Sequence, residues 1–566
     1  MGIKMKNYSL KSSMVSAVIF IFFAGPGFAE QELGSGAPAG PSQNEVTQSQ
    51  SMTPGEPDIV LPSVVLELED LSVGEITAKK LEPAELPPPR LETPPLPQPD
   101  DLEIETPFSE LIAPHTEAMG ISQDQERTLM AEGVLGTGTL NHFTSSISLY
   151  QFGKQPEGKL LFSHEMVDGL SGNPPGSGYN IREDILNGSL KFEKDKVELD
   201  TGGSFSDIET GLQGKGSFYS KINRSIEGSA EMQYQPFSRL FLQGDLRAYS
   251  WTQMLTRSED TTQTNRKGNE LYLSSSLEGK FVFEKGYLGL SPAYTYRTVI
   301  DRPGLELNRV RVDGLLGFDI AQIYTVDTRV GWFWSETTGG LVPFKVSFQA
   351  TPRELFSVTA EAGYRVNQYN LSGLTEQFRW MEIPDSVEDD HGWFANIHSD
   401  LNLFRDWVFT GGLGLYSRSS IPQVVPGINT DTGLFTITQK QGLSLEADLG
   451  ARWNISENFS ANFTWNSRMI DRADYLPGNK LVVEASGVNK KGKYGGGGFL
   501  KLLTGVNDTV QAPVVGVNGF YRITRFFRLE ADLNDLLYPL LDAPRYEYEP
   551  FVDTGFMITL SAHINF

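Results

Sequence analysis

From about Arg127 onward the chain alternates. In "QGLSLEADLGARWNIS", Leu443, Leu445, Ala447, Leu449, Ala451 and Trp453 take every second position, and Ser444, Glu446, Asp448, Gly450, Arg452 and Asn454 take the positions between. After a short turn, Phe459, Ala461, Phe463 and Trp465 alternate with Ser460, Asn462, Thr464 and Asn466. "NELYLSSSLEGKFVF" repeats the rhythm with Leu271, Leu273, Leu277, Phe281 and Phe283, and "DWVFTGGLGLYS" with Trp407, Phe409, Leu413 and Leu415. A side-chain period of two is that of a strand with one apolar and one polar face.

Many such strands fit a soluble sandwich, a propeller or a membrane barrel. The alternating runs are often a dozen residues or longer, whereas globular strands usually have about five or six. Trp251, Trp332, Trp334, Trp393, Trp407, Trp453 and Trp465 fall near the ends of runs, as in the aromatic girdles of membrane barrels. Short turns alternate with long loops: "FEKG" then "DRPGLE", "TPREL" then 368–390, "NISEN" then 470–511. No repeat of blade length is present. The pattern predicts an all-β fold, a large antiparallel transmembrane β-barrel of about 20–22 strands over 127–566, with short turns in the periplasm and long loops outside. The count depends on "GNKLVVEASGVNKKGKYGGGGFLKLLTG" (Gly478–Gly505), which reads as one external loop or as a loop plus a further hairpin. Within it, "KKGKYGGGGF" (Lys490–Phe499) reads as a flexible external loop.

The chain ends on "GFMITLSAHINF". Phe556, Ile558, Leu560, Ala562, Ile564 and Phe566 form an apolar face expected to meet lipid, and Met557, Thr559, Ser561, His563 and Asn565 a face expected to meet the lumen. This last strand must pair with the first to leave no edge.

The N-terminal part has different physics. Lys4, Lys6 and Lys11 precede the apolar run Met14–Ala24, which is too short to span a bilayer and is followed by "GFA". This is the pattern of a secretory signal ending near Ala29. Residues 30–126 read as a Pro-rich, acidic, largely disordered periplasmic linker, including "ELPPPRLETPPLPQPDDLEIETP" (Glu85–Pro107). The formal charge is -24, and more than half of the surplus lies in 30–110. Such a balance excludes nucleic acid as a partner. With Cys 0, the chain has neither a disulfide nor an N-terminal lipid-bearing cysteine. The expected location is the outer membrane of a diderm bacterium, with the arm in the periplasm.

Several stretches together resemble TonB-dependent receptors. They are "MAEGVLGTGTLN" (Met130–Asn141), "HEMVDGLSG" (His164–Gly172), "REDILNGSLKF" (Arg182–Phe192) and "IETGLQG" (Ile208–Gly214), then the closing "EADLNDLLYPLLDAPRYEYEPFVDTGFMITLSAHINF" (Glu530–Phe566). They look like the opening strands and the closing hairpin of that family's barrel. The resemblance implies a transport-class barrel. It also implies that the terminal Phe566 is a signal read by the barrel-assembly machinery, and that Asp58, Ile59 and Val60 in "PDIVLPSVV" are a possible energy-coupling box. The family's plug domain has no counterpart in 30–126, so filling of the lumen by inward-folded loops or by Pro57–Ile76 is expected.

No sequence motif points to catalysis. GxSxG, HExxH and Walker loops are absent, and the histidines are dispersed. No metal or cofactor is expected. The charged residues on the predicted lumen face are Asp245, Arg247, Glu278, Lys280, Glu361, Arg365, Asp400, Glu446, Asp448, Arg452, Arg528, Glu530 and Asp532. They serve as structural cross-strand pairs, or as a polar conduit or a docking surface for a plug. Two functions follow: passage or reception of solutes across the outer membrane, or a membrane anchor whose Pro-rich arm binds a periplasmic or cell-wall partner. Lipid is a partner in both.

Overall fold

The computed structural model describes residues 129–566, apart from 154, 258–263, 301–304, 321–322, 354, 385, 405, 470–476 and 507–508. The signal, the arm and its box Asp58–Val60 lie outside the described residues.

The described chain is an antiparallel barrel of 22 strands. In order they are β1 (Leu129–Gly138), β2 (Phe143–Gln151), β3 (Glu157–Asp168), β4 (Asn180–Lys194), β5 (Val197–Gly211), β6 (Ser220–Phe237), β7 (Leu240–Thr256), β8 (Thr264–Phe283), β9 (Gly286–Val299), β10 (Leu307–Ile320) and β11 (Tyr324–Ser335). There follow β12 (Phe344–Arg353), β13 (Phe356–Asn367), β14 (Asp390–Phe404), β15 (Trp407–Ile428), β16 (Phe435–Ser456), β17 (Phe459–Met469), β18 (Asn479–Val488), β19 (Tyr494–Val506), β20 (Val514–Arg522), β21 (Phe527–Asn534) and β22 (Met557–Asn565). Two short pieces, Gly339–Leu341 and Thr509–Val510, extend β12 and β20. Each strand pairs with its neighbours in sequence, and β22 returns to β1, with Glu132 opposite Asn565 and Gly138 opposite Thr559. Phe566 exchanges backbone hydrogen bonds with Ala131 at the same seam. The ring therefore has no open edge, which is what a sheet in hydrocarbon requires.

The alternation decides which residues face out. In β22 and the residue after it, Leu560 and Phe566 are 60% and 69% exposed, whereas Met557, Thr559 and Ser561 are 7%, 6% and 7% exposed. Leu246, Leu277, Leu288, Leu290, Val330, Leu413 and Leu449 are likewise exposed around the ring and form an apolar band. Near the short turns the band carries aromatics: Phe192, Phe281, Phe318, Tyr324, Phe356, Trp453, Phe459 and Tyr521. Trp332, Trp334 and Trp393 are exposed toward the other end. Trp251 does not belong to this girdle. It is 3% exposed, on the inner face of β7 beside Tyr249.

The strand count settles on the higher value because Gly478–Gly505 holds a full hairpin. Asn479 to Val488 pair with Thr504 to Gly495. Lys490–Phe499 is therefore not an external loop. It is a short turn, at the same end as the other short turns, plus the start of β19. Four consecutive glycines (Gly495–Gly498) have no alternation to read, yet the sheet uses their smallness. A Cβ at Gly495 would fall 2.7 Å from the Gly487 carbonyl oxygen.

Candidate functional site: an inward-folded loop in the barrel lumen

The segment joining β13 to β14 does not stand off the barrel rim. It turns inward and carries the one α-helix among the described residues, α1 (Leu371–Gln377). Asn370 caps it by accepting from the Gly373 N–H at 2.6 Å. Leu371, Leu374, Phe378, Trp380, Met381, Ile383 and Val387 are all buried. They pack on inner-face residues that break the polar pattern of the lumen, namely Tyr249, Trp251 and Leu255 of β7 and Val299 of β9. The cluster includes Phe551, from the loop between β21 and β22, whose ring stacks on Trp380 with centroids 4.4 Å apart.

Polar contacts fix this loop from several sides. Glu270 of β8 is 0% exposed and accepts from the Leu371 and Ser372 N–H groups at 3.0 and 3.2 Å. The Tyr249 hydroxyl donates to the same carboxylate at 3.0 Å. Arg297 of β9 donates to the Tyr369 carbonyl at 2.9 Å, and Arg309 of β10 to the same carbonyl at 3.1 Å. Arg309 also makes a two-nitrogen contact with the Asp389 carboxylate, its Nε at 2.8 Å. Lys221 of β6 donates to the Arg379 carbonyl. Arg418 of β15 bonds Asp390 at 2.7 Å and the Tyr369 hydroxyl. Burial pushes the Tyr369 phenol up to about 12, so it stays neutral.

The next residue after Arg379 reaches another part of the ring. Phe435, at the start of β16, donates its N–H to the Trp380 carbonyl at 2.8 Å. On a ring of 22 strands, β6 and β16 stand nearly opposite. Consecutive residues of one loop are thus tied to strands far apart in ring order, Arg379 to β6 and Trp380 to the start of β16. Two other loops meet over the same region, where the Ser217 N–H donates to the Asp431 carbonyl at 2.9 Å. A Cβ at Gly216 would fall 2.3 Å from the Gly433 nitrogen. The long segment before β22 is held as well, by Arg545 between Asp535 and Asp553 and by Gln213 on the Val552 backbone.

The charged residues read from the sequence lie further along the inner face. Arg247 pairs with Glu227 at 2.7 Å, and Asp245 accepts from Ser276 at 2.9 Å. Glu278 contacts Lys280 in its own strand and Arg329 at 3.6 Å. Glu361 pairs with Lys345 at 2.8 Å. Arg365 lies over the Tyr416 ring at 4.3 Å. Asp400 accepts from Ser357 at 3.1 Å and lies 3.3 Å from His398, whose other nitrogen is 4.0 Å from Asp448. Arg452 donates to Asn454 at 3.3 Å. Arg528 pairs with Glu530 at 2.9 Å, and His563 lies 3.3 Å from the same carboxylate. Glu446 sits opposite Gly414, and Asp532 opposite Thr559. These contacts are local and scattered around the ring, so the thirteen residues do not converge on one point. Phe566 lies at the seam, 69% exposed.

The residues that do converge, Lys221, Glu270, Arg297, Arg309, Asp389 and Arg418, belong to no motif in the sequence. The available signal was that Tyr249, Trp251 and Leu255 are apolar on a face that should be polar. Among the described residues, no group of three or more His, Asp or Glu side chains is placed to hold a metal ion.

No protein-family description matches the sequence, and no curated protein matches it. Solved structures do match in fold. The ferric enterobactin receptor PfeA of Pseudomonas aeruginosa superposes with a TM-score of 0.59 at 8% identity, over 77% of this chain and 81% of that one. The FrpB iron transporter from Neisseria meningitidis gives 0.59 at 7% identity, over 78% and 82%. The copper transporter OprC gives 0.58 at 11% identity, over 77% and 80%. At such identities what is shared is the fold, and that fold is the 22-strand barrel of TonB-dependent receptors.

Proposed function

We propose that the chain is an outer-membrane protein of transport class, which passes or receives solutes through a lumen closed toward the outside by its own inward-folded loop. The observation that carries this reading is the buried cluster around α1 and Trp380, bonded both to β6 and to the start of β16. A barrel of this width encloses more space than side chains fill. A plug is one means of filling it, and a folded loop is another. The charged inner face supports a wet passage below the loop, with Asp245, Arg247, Glu278, Lys280, Glu361, Arg365, Asp400, Glu446, Asp448, Arg452, Arg528, Glu530 and Asp532 lining it. In this reading Asp58, Ile59 and Val60 form an energy-coupling box, Phe566 is read by the assembly machinery, and the arm is a periplasmic segment.

The test is conductance in planar bilayers. The full chain should conduct weakly, and a variant with 371–388 replaced by a short Gly-Ser linker should conduct strongly. A folded variant that stays electrically silent refutes occlusion by the loop. Silence together with a specific periplasmic partner on the arm would favour the anchor reading instead.

A further inference from the structure

The inward loop covers a concentration of positive charge that the barrel wall holds ready. Lys221, Arg297 and Arg309 are 1%, 2% and 1% exposed. Arg418 stands beside them through Tyr369, and Arg365 lies over the ring of Tyr416, two residues before Arg418 in β15. These five cations come from the inner faces of β6, β9, β10, β13 and β15. Two wall carboxylates face the same space: Glu270, 4.0 Å from Arg297, and Asp390, bonded to Arg418. The wall is therefore cationic by itself, and the loop supplies what answers it. Asp389 takes Arg309, the Tyr369 carbonyl takes Arg297 and Arg309 together, and the Val387 and Arg379 carbonyls take Arg297 and Lys221. Glu376, Glu382 and Glu388 outnumber the loop's one cation, Arg379, which is paired with Glu547 at 3.3 Å.

The match is incomplete. Arg309 Nη1 and Arg297 Nε are buried without a hydrogen-bond partner. A buried guanidinium nitrogen left unpaired is costly, and arginine is suited to planar two-oxygen recognition of carboxylate or phosphate. This wall presents more donors than the loop has oxygens to meet.

We infer that the wall around Lys221, Arg297 and Arg309 is a binding site for a multiply charged oxyanion, a polycarboxylate or a polyphosphate, and that loop 368–389 occupies it as a tethered substitute. A free oxyanion entering from outside satisfies the same donors, and the loop leaves as it binds. The coupling is a competition for one site. Affinity for the anion is therefore reduced by the fraction of time the loop is docked. This deepens the transport reading by naming the chemistry of the solute, and it rests on that reading only for the direction of passage.

The natural chain has no cysteine, so a single introduced thiol reports without background. Thr375 is 3% exposed in α1. In full-length Thr375→Cys protein, maleimide labelling should be slow in sodium chloride. It should accelerate at least tenfold, with saturation, on adding citrate or tripolyphosphate at constant ionic strength. In Thr375→Cys/Arg297→Gln/Arg309→Gln it should be fast and indifferent to either anion. Calorimetry should also find citrate or tripolyphosphate bound at least tenfold more tightly to the loop-shortened chain than to the full chain. Labelling that follows ionic strength alone, or that neither anion accelerates, overturns the proposal. Equal affinity with and without the loop also overturns it. If the shortened chain does not fold, the labelling result decides. A response to one of the two probes alone assigns the site to carboxylates or to phosphates. Neither readout involves transport, so this inference and the transport reading can fail separately.

Discussion

Removing one carboxylate from the loop should open the barrel. Asp389 is 1% exposed and its partner Arg309 is also 1% exposed, so Asp389→Ala leaves a guanidinium buried with its main counter-charge gone. Breaking such a pair from one side costs about 3–5 kcal/mol. The cost falls on the docked loop, since an undocked loop leaves Arg309 to water. At 1.4 kcal/mol per tenfold, the docked-to-undocked ratio falls roughly one hundred- to four thousand-fold. Single-channel recording reads this as open probability. Two controls frame the result. Glu198→Ala breaks the exposed Lys191–Glu198 pair near a short turn and should change nothing, because exposed pairs contribute about 0–1 kcal/mol. Arg309→Met with Asp389→Leu removes both charges and should restore the closed state, because apolar replacement of a whole buried pair is roughly neutral or better. A folded Asp389→Ala barrel with wild-type open probability would refute the reasoning, since the pair would then contribute nothing to holding the loop.

Other perturbations have defined outcomes. Trp380→Ala removes the ring stacked on Phe551 and should cost the docked loop ~3–5 kcal/mol, seen as faster trypsin cleavage at Arg379. Glu270→Gln weakens the acceptor for the Leu371 and Ser372 N–H groups and should cost about 1–3 kcal/mol, read by labelling of Thr375→Cys. Gly138→Ala should impair closure of the ring, measured as loss of folded yield in bilayers, because its Cβ would fall 2.2 Å from the Ile558 carbonyl oxygen. Burial raises the Asp535 carboxyl despite Arg545, so the folded strap before β22 binds a proton more readily than the free segment. That contribution is full below the ordinary carboxylate range and is lost as pH rises through the raised value. Proteolysis between Asp535 and Phe551 should therefore be faster at about pH 7 than at about pH 4, and Asp535→Asn should flatten the difference.

The barrel was legible because its physics is local. Alternation in Leu443–Asn454 or Phe556–Phe566 depends only on which face meets lipid, and the sheet keeps that assignment throughout. Reading failed where local pattern and tertiary use diverge. Gly495–Gly498 carry no side chains to alternate, so a strand passed for a loop. Trp251 reads as a girdle residue by its position along the strand, whereas its face, shared with Tyr249 and Leu255, turns it into the lumen. The site was less accessible still. Arg297 and Arg309 are ordinary inner-face charges by sequence, and only the fold brings Tyr369 and Asp389 to them from far along the chain. An inward turn of a long loop leaves a trace in sequence only as apolar residues on both sides of the contact.

The most direct test of the whole account is the environment of alternate residues in one strand. Single cysteines placed at Leu271, Tyr272, Leu273 and Ser274 of β8, spin-labelled and reconstituted in vesicles, can be relaxed by oxygen from the lipid or by a nickel chelate from water. The cylinder described here predicts strong oxygen and weak nickel relaxation at 271 and 273. It predicts weaker oxygen relaxation, with nickel relaxation limited only by packing, at 272 and 274. Uniform exposure to nickel at all four positions would contradict it.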